Sequence, residues 1–176
     1  MAVKTNRERL FVVLFVLLFA AVVLPTVFRG LRSAEGPSVE IVTPDERVRT
    51  VSLTEIKQMP QLSRYGSVQN QYGNWRNEGT YTGVRLTDLL GDEAGYATIE
   101  FVASDGYRVR MEREWIEDPE YPVVLAYTFE GSDVPAWGDG FRVVVLPEDG
   151  DVSNAEYGVD SAGSYWVRNV VRIVLD

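Results

Sequence analysis

The sequence has no cysteine and no histidine. Without cysteine there is no disulfide, no thiolate nucleophile and no thiolate metal ligand. Without histidine the commonest general base and the commonest neutral metal ligand are missing, which excludes histidine triads and ordinary zinc sites. Lysine is nearly absent, occurring only at Lys4 and Lys57. Many acids with few lysines suit a salty environment, and suit equally the ordinary acidic surface of a protein from a GC-rich genome. Positive charge is short overall, with a formal net charge of -9. It is also unevenly placed. Residues 1–35 hold Lys4, Arg7, Arg9, Arg29 and Arg32 against Glu8 and Glu35, a net of +3, so the rest of the chain carries -12. A domain of that charge repels nucleic acid and anionic lipid.

What is present begins with an apolar run. Leu10 to Phe28 contains no charged residue. As a helix it would span roughly 28 Å, about the hydrocarbon thickness of a bilayer. Pro25 falls near its end, where a kink is tolerated. A buried core helix would need a polar face, and there is none. The run is longer than the ~7–15 residues of a cleaved signal's hydrophobic region, and Arg32 spoils the small-x-small site before Ala34. The expectation is an uncleaved transmembrane signal anchor over 10–28. Lys4, Arg7 and Arg9 favour a cytoplasmic stretch over 1–9, although Arg29 and Arg32 pull the other way. Residues 29–37 form a linker, and 38–176 form one domain outside the cytoplasm. About 140 residues are enough for a single core.

Within that domain, Pro37–Thr43 reads as a strand and Arg47–Val51 as a half-exposed one. Ser52-Leu53-Thr54-Glu55 matches a capping box, and Pro60 ends the helix that follows. Gln61–Glu78 is polar, aromatic and glycine-containing. It is either a long loop or strands with an irregular connection. Thr80-Tyr81-Thr82 favours extended chain, and Gly83 permits a bend or a close backbone approach. Val84, Leu86, Leu89 and Leu90 then take helical spacing, so a strand-to-helix corner is expected at Gly83. Thr98–Ala103 and Tyr107–Met111 flank the hairpin signal Asp105-Gly106. A short helical turn is expected around Trp115 and Ile116. Strands are expected over Val123–Phe129 and Phe141–Leu146, and a long acidic loop over Glu148–Gly163. Tyr165–Leu175 suits one bent strand or two. Many strands with two or three short helices make the fold class α+β.

Five segments, taken in order, carry a resemblance. They are Thr80–Leu90 (TYTGVRLTDLL), Phe101–Tyr107 (FVASDGY), Leu125–Gly131 (LAYTFEG), Gly140–Pro147 (GFRVVVLP) and Trp166–Ile173 (WVRNVVRI). The set resembles the oxidoreductase molybdopterin-binding domain of sulfite-oxidase-like proteins, over roughly residues 38–175. Ser52–Pro60 fits that family's first helix. The resemblance implies mixed small sheets with short helices, and in active members a central molybdenum-pterin cofactor ligated by one cysteine. It places that cysteine in the segment Val68–Arg76, where this chain has Asn70. An asparagine amide is a neutral, hard oxygen donor and a poor substitute for a soft thiolate. A molybdopterin is therefore implied by the family but has no cysteine to ligate its metal here.

The candidate cofactor-binding residues are Arg64, Asn70, Tyr72, Asn74, Trp75, Arg76 and Tyr81, with Tyr65 beside them. Arginine forks among aromatics suit an anionic or pterin-like ligand. The alternative is a structured loop whose aromatics plug the core. Asp149 to Asp160 has alternate oxygen donors like a calcium loop, but Asn154 and Asp160 depart from the pattern at its sixth and twelfth positions, and a solvated acidic loop is expected. The acidic run Glu112 to Glu120 reads as a solvated face. The chain is therefore expected to be a membrane-anchored ligand-binding or redox-accessory module, with a small anionic ligand or a redox partner protein. The alternatives are an active molybdopterin-dependent oxidoreductase and a purely structural envelope domain.

Overall fold

A computed structural model describes residues 36–93 and 95–176. The expected cytoplasmic stretch 1–9 and membrane anchor 10–28 lie outside the described residues, as does most of the linker 29–37. Among the described residues no helix is long and apolar enough to cross a membrane.

The first elements are β1 (Ser38–Val42), β2 (Val48–Ser52), α1 (Leu53–Ile56), β3 (Gln61–Gln69) and β4 (Trp75–Arg85). Next come α2 (Leu86–Leu90), β5 (Thr98–Ala103), β6 (Arg108–Glu112), α3 (Arg113–Ile116) and β7 (Val123–Phe129). The chain closes with β8 (Ser132–Asp133), β9 (Arg142–Val145), β10 (Asp151–Val152), a 3₁₀ turn (Ala162–Tyr165) and β11 (Val170–Leu175). One sheet has the order β2-β1-β11-β5-β6, and β1 and β11 run parallel. The other has the order β10-β3-β4-β7, with β8 and β9 both paired to β7. Two mixed sheets with short helices between them make an α+β fold, as expected.

The sheets share one hydrophobic cluster. It includes Ile41, Ile99, Phe101 and Ile173 from the first sheet and Val84, Leu125, Val143 and Val145 from the second, all fully buried. β1 alternates, burying Val39 and Ile41. β7 is buried from Val123 through Thr128. That explains its continuous apolar run, since a central strand covered on both faces has no polar side to present.

The capping box forms as read. The Ser52 hydroxyl accepts from the Glu55 N–H at 3.3 Å, and the Glu55 carboxylate accepts from the Ser52 N–H at 2.8 Å. In α2, Leu86, Leu89 and Leu90 are buried while Thr87 and Asp88 face outward. One open alternative is decided and two expectations resolve differently. Gln61–Glu78 takes its second reading, strands with an irregular connection: it is a β-hairpin pairing from Gln61 opposite Val84 to Gln69 opposite Trp75, with a register shift between Gly66 and Val68. Gly83 is not a corner. β4 runs on to Arg85, and Gly83 marks a register shift against β7. A Cβ there would stand 2.3 Å from the Leu125 carbonyl oxygen, so the glycine is needed for close backbone approach. The last strand begins only at Val170. Asn169 before it has φ 52°, and its N–H donates to the Asp139 carbonyl at 2.7 Å, which turns the chain away from extended form.

Candidate functional site

The tip of the β3–β4 hairpin is organised by Asn70. Its Oδ1 accepts from the backbone N–H of Tyr72 at 2.9 Å and of Asn74 at 3.1 Å. This is the Asx pattern in which a short side chain replaces a backbone acceptor in a turn. The amide oxygen at the position where the resemblance places a metal-binding cysteine is thus committed to the turn. Tyr72, at 78% exposure, stands in solvent beside Asn74. Trp75 and Arg76 follow on the exposed start of β4.

The acidic loop folds back onto this hairpin through Asn154. Its N–H donates to Gln69 Oε1 at 3.0 Å, its Nδ2 to the Asn70 carbonyl at 2.8 Å, and its Oδ1 accepts from the Ala162 N–H at 2.8 Å. Asn154 therefore clamps the 3₁₀ turn against the hairpin and does not serve a calcium loop. Two of the loop's carboxylates are engaged as well: Asp151 takes the Ser67 hydroxyl at 2.6 Å, and Glu156 takes that of Ser153 at 2.6 Å. Gly163 lies so close that a Cβ would sit 3.2 Å from the Gln69 carbonyl oxygen.

The clamp leaves an open groove of about 340 Å³ whose lining includes Asn70, Arg76, Asn77, Tyr107, Ser161 and Ser164. Asn77 reaches it because the β3–β4 register is irregular there, and its φ of 60° is one that asparagine tolerates. The Tyr107 hydroxyl donates to the Ser164 carbonyl at 3.0 Å and closes one side. Arg76 is exposed and makes only a local contact, donating to the Trp75 carbonyl at 3.3 Å. The groove offers one guanidinium, hydroxyls and amides.

Of the expected residues, Asn70 and Arg76 meet in this groove. Arg64 does not join them. It lines a separate depression with Glu120, Tyr121 and Glu148, and its guanidinium donates to the Leu146 carbonyl at 3.0 Å. Tyr81 is fully buried. Its ring packs on Phe129 at 4.8 Å, Trp166 at 5.3 Å and Trp137 at 6.0 Å. Burial pushes its hydroxyl up to about 12. Asn77, Tyr107, Ser161 and Ser164 were missed. Tyr107 falls in the hairpin after Asp105-Gly106, Ser161 falls in the acidic loop Glu148–Gly163, and Ser164 follows that loop with no pattern of its own.

Behind the groove lies a buried arginine that sequence patterning alone did not single out. Arg142 on β9 is 3% exposed and donates to Asp139 Oδ2 at 3.2 Å. Its guanidinium stands 5.5 Å from the Trp166 ring centre and 5.8 Å from that of Tyr81. Burial lowers its proton affinity, while the nearby Tyr81 and Asp139 oppose that shift. Arg142 Nε and Trp166 Nε1 are both buried without a hydrogen-bond partner. Facing aromatic rings supply part of the lost solvation.

These residues do not fit a thiolate-held molybdenum. No cysteine exists in the chain. The Asn70 amide, at the place where the resemblance puts that cysteine, is bonded to two backbone donors.

No family model matches the chain, and no curated protein matches it in sequence. Among solved structures it is similar to the crystal structure of the sulfane dehydrogenase SoxCD from Paracoccus pantotrophus, with a TM-score of 0.57 at 15% identity. The likeness covers 79% of this chain and 38% of that one, so this chain spans well under half of its length. At that identity what is shared is the fold, which supports the resemblance of the sequence motifs to sulfite-oxidase-like proteins at the level of architecture.

Proposed function

We propose that this chain is a small-molecule binding module on a sulfite-oxidase-like scaffold, anchored in a membrane by residues 10–28 with its domain outside the cytoplasm, and that it works without thiolate-ligated molybdenum. The observation that carries the reading is Asn70, a neutral amide whose oxygen already receives two backbone N–H groups. A site built that way supports a turn and the wall of a groove, not a metal centre. The groove beside it suits a small oxyanion. Arg76 offers a planar fork for two oxygens and Ser161 a hydroxyl, while the acidic surface disfavours large polyanions.

The test uses the full chain, purified from its native host in mild detergent. Metal analysis and pterin fluorescence are expected to find molybdenum far below one per chain. Stoichiometric molybdenum with pterin would overturn the reading in favour of an oxidoreductase. Titration with sulfate and phosphate is expected to shift amide resonances of Arg76 and Asn77, and Arg76→Gln to weaken that response about tenfold. A groove that ignores every small anion would leave a structural domain as the better account.

A further inference from the structure

A further concavity lies apart from the groove, shares none of its lining residues and adjoins the Arg64 depression at Tyr121. It is a cleft of about 140 Å³ between α3 and the acidic loop, lined by Trp115, Asp118, Tyr121, Glu156 and Tyr157. Its walls are aromatic and mutually tilted. The Trp115 and Tyr157 ring centres are 5.1 Å apart at 65°, and those of Tyr121 and Tyr157 are 6.0 Å apart at 72°. Tyr165 braces the cage from behind, 5.2 Å from Trp115 and 6.0 Å from Tyr157.

Among the described residues, the charged ones lining the cleft are two carboxylates. Each is held by bonds to one oxygen, which leaves the other for a cation. Asp118 Oδ1 accepts from the Glu120 N–H at 2.9 Å. Glu156 Oε2 accepts from the Ser153 N–H at 3.0 Å and the Ser153 hydroxyl at 2.6 Å. Those bonds hold Glu156 below the usual glutamate range, so it is ionised at neutral pH. Burial raises the Tyr157 hydroxyl above its ordinary value, so that ring stays neutral. Two of the nearby arginines are occupied, and Arg85 faces a separate depression on the other side of Asp118. Arg113 pairs with Glu117 at 2.7 Å and lies over Tyr96, and Arg64 is bonded to the Leu146 carbonyl.

We infer that this cleft binds the quaternary ammonium group of a small free solute, with Trp115, Tyr121 and Tyr157 as its cage and Asp118 and Glu156 as its counter-charges. The chemistry selects that class. A hard metal cation takes about six to eight oxygen ligands, more than the free carboxylate oxygens of Asp118 and Glu156 and the two tyrosine hydroxyls of this lining supply. A primary ammonium is strongly hydrated and wants several acceptors. A methylated ammonium is weakly hydrated, spreads its charge over carbon, and is attracted to the faces of tryptophan and tyrosine. Size agrees as well. The cleft is smaller than the ~300–1,000 Å³ that encloses a drug-sized ligand, but a cavity of about 150 Å³ admits a benzene-sized guest. It therefore holds a head group and leaves the remainder of the solute outside.

The test uses the full chain in maltoside micelles, which carry no choline head group, with choline, ethanolamine and phosphocholine as probes. Saturation-transfer NMR of the choline methyl protons gives contact, and titration gives affinity. Choline is expected to bind at least about tenfold more tightly than ethanolamine. Phosphocholine is expected to bind more weakly than choline, because its phosphate meets Asp118 and Glu156. Trp115→Leu is expected to weaken choline about tenfold, with folding checked by circular dichroism. Because Trp115 also packs on Tyr165, the pair Asp118→Asn and Glu156→Gln gives a second measure, with a similar loss and unchanged aromatic packing. Choline no tighter than ethanolamine, or unchanged in both folded variants, would overturn the site. Phosphocholine tighter than choline would overturn the free-solute assignment and point to lipid head groups. Neither result bears on the Arg76 groove, which is read by anion titration.

Discussion

The hydroxyl of Tyr81 donates to the main-chain carbonyl of Asn77 at 2.7 Å. This single bond ties the buried aromatic cluster to the rim of the groove. Asn77 also accepts from Arg168 through its side chain at 3.0 Å, so both its backbone and its amide are held. Tyr81→Phe keeps the ring and removes both this donor and the hydroxyl that accepts from the buried Arg142 guanidinium at 3.5 Å, leaving a part-buried carbonyl unpaired. The expected cost is about 1–2 kcal/mol, read by chemical unfolding of the full chain in detergent. Tyr81→Leu should cost more, since it also empties the space against Phe129 and Trp166.

The same residue predicts an alkaline transition. Its hydroxyl moves from 10.0 in the unfolded chain to about 12 in the fold, chiefly through burial. A proton held more tightly by the folded state stabilises it fully below pH 10. That contribution is lost as pH rises towards 12, because the unfolded chain ionises first. One such group gives a slope of up to about 1.4 kcal/mol per pH unit in that window. Unfolding measured across it should therefore be less steep for Tyr81→Phe than for the parent. It should not become flat, because Tyr157 is shifted in the same direction. Equal slopes for parent and variant would show that Tyr81 is not buried as described.

Gly83→Ala should be among the most damaging small substitutions in the domain. Its added methyl would stand 2.3 Å from the Leu125 carbonyl oxygen and 2.6 Å from Ala126 Cα, and both are backbone atoms that cannot rotate away. Separating β4 from β7 by even a few tenths of an ångström weakens the pairing that carries the central sheet. A loss of roughly 2–4 kcal/mol is expected, enough to lower soluble yield. Gly138→Ala is the control. Nothing lies within 4 Å of its Cβ, and its φ is not positive, so thermal unfolding should move little.

These residues also mark how far the sequence could be read. The capping box at Ser52–Glu55 and the apolar spacing of Leu86, Leu89 and Leu90 were legible because their partners lie within one turn of the chain. At Gly83 the sequence permits a bend or a close approach and cannot choose between them, because the atoms that demand a glycine belong to Leu125 and Ala126 on a distant strand. Tyr81 groups with the polar cluster in sequence because its neighbours there are threonines and glycines. Phe129, Trp137 and Trp166 bury it from other segments. The groove was half visible. Asn70 and Arg76 stood out by type and place, whereas Ser161 and Ser164 reach them only through the three bonds of Asn154. No local pattern reports a clamp of that kind.

Substitutions at Asn70 separate a turn residue from a lost metal ligand. If Asn70 is there to cap the hairpin tip, its value lies in an oxygen that accepts from Tyr72 and Asn74. Asn70→Asp keeps that oxygen and should leave stability and local exchange nearly unchanged. Asn70→Ala removes it, and should speed hydrogen exchange at the Tyr72 and Asn74 amides and cost about 1 kcal/mol. Asn70→Cys should behave like the alanine variant, because sulfur is a weak acceptor. It should also fail to recruit molybdenum in a host that makes the cofactor. A thiol alone does not supply a pocket for the pterin, and the Asn70 carbonyl remains bonded to Asn154 whatever the side chain. Metal analysis of that variant, beside its exchange rates, decides the point. Molybdenum near one per chain would mean that the scaffold kept its cofactor site and lost only the ligand.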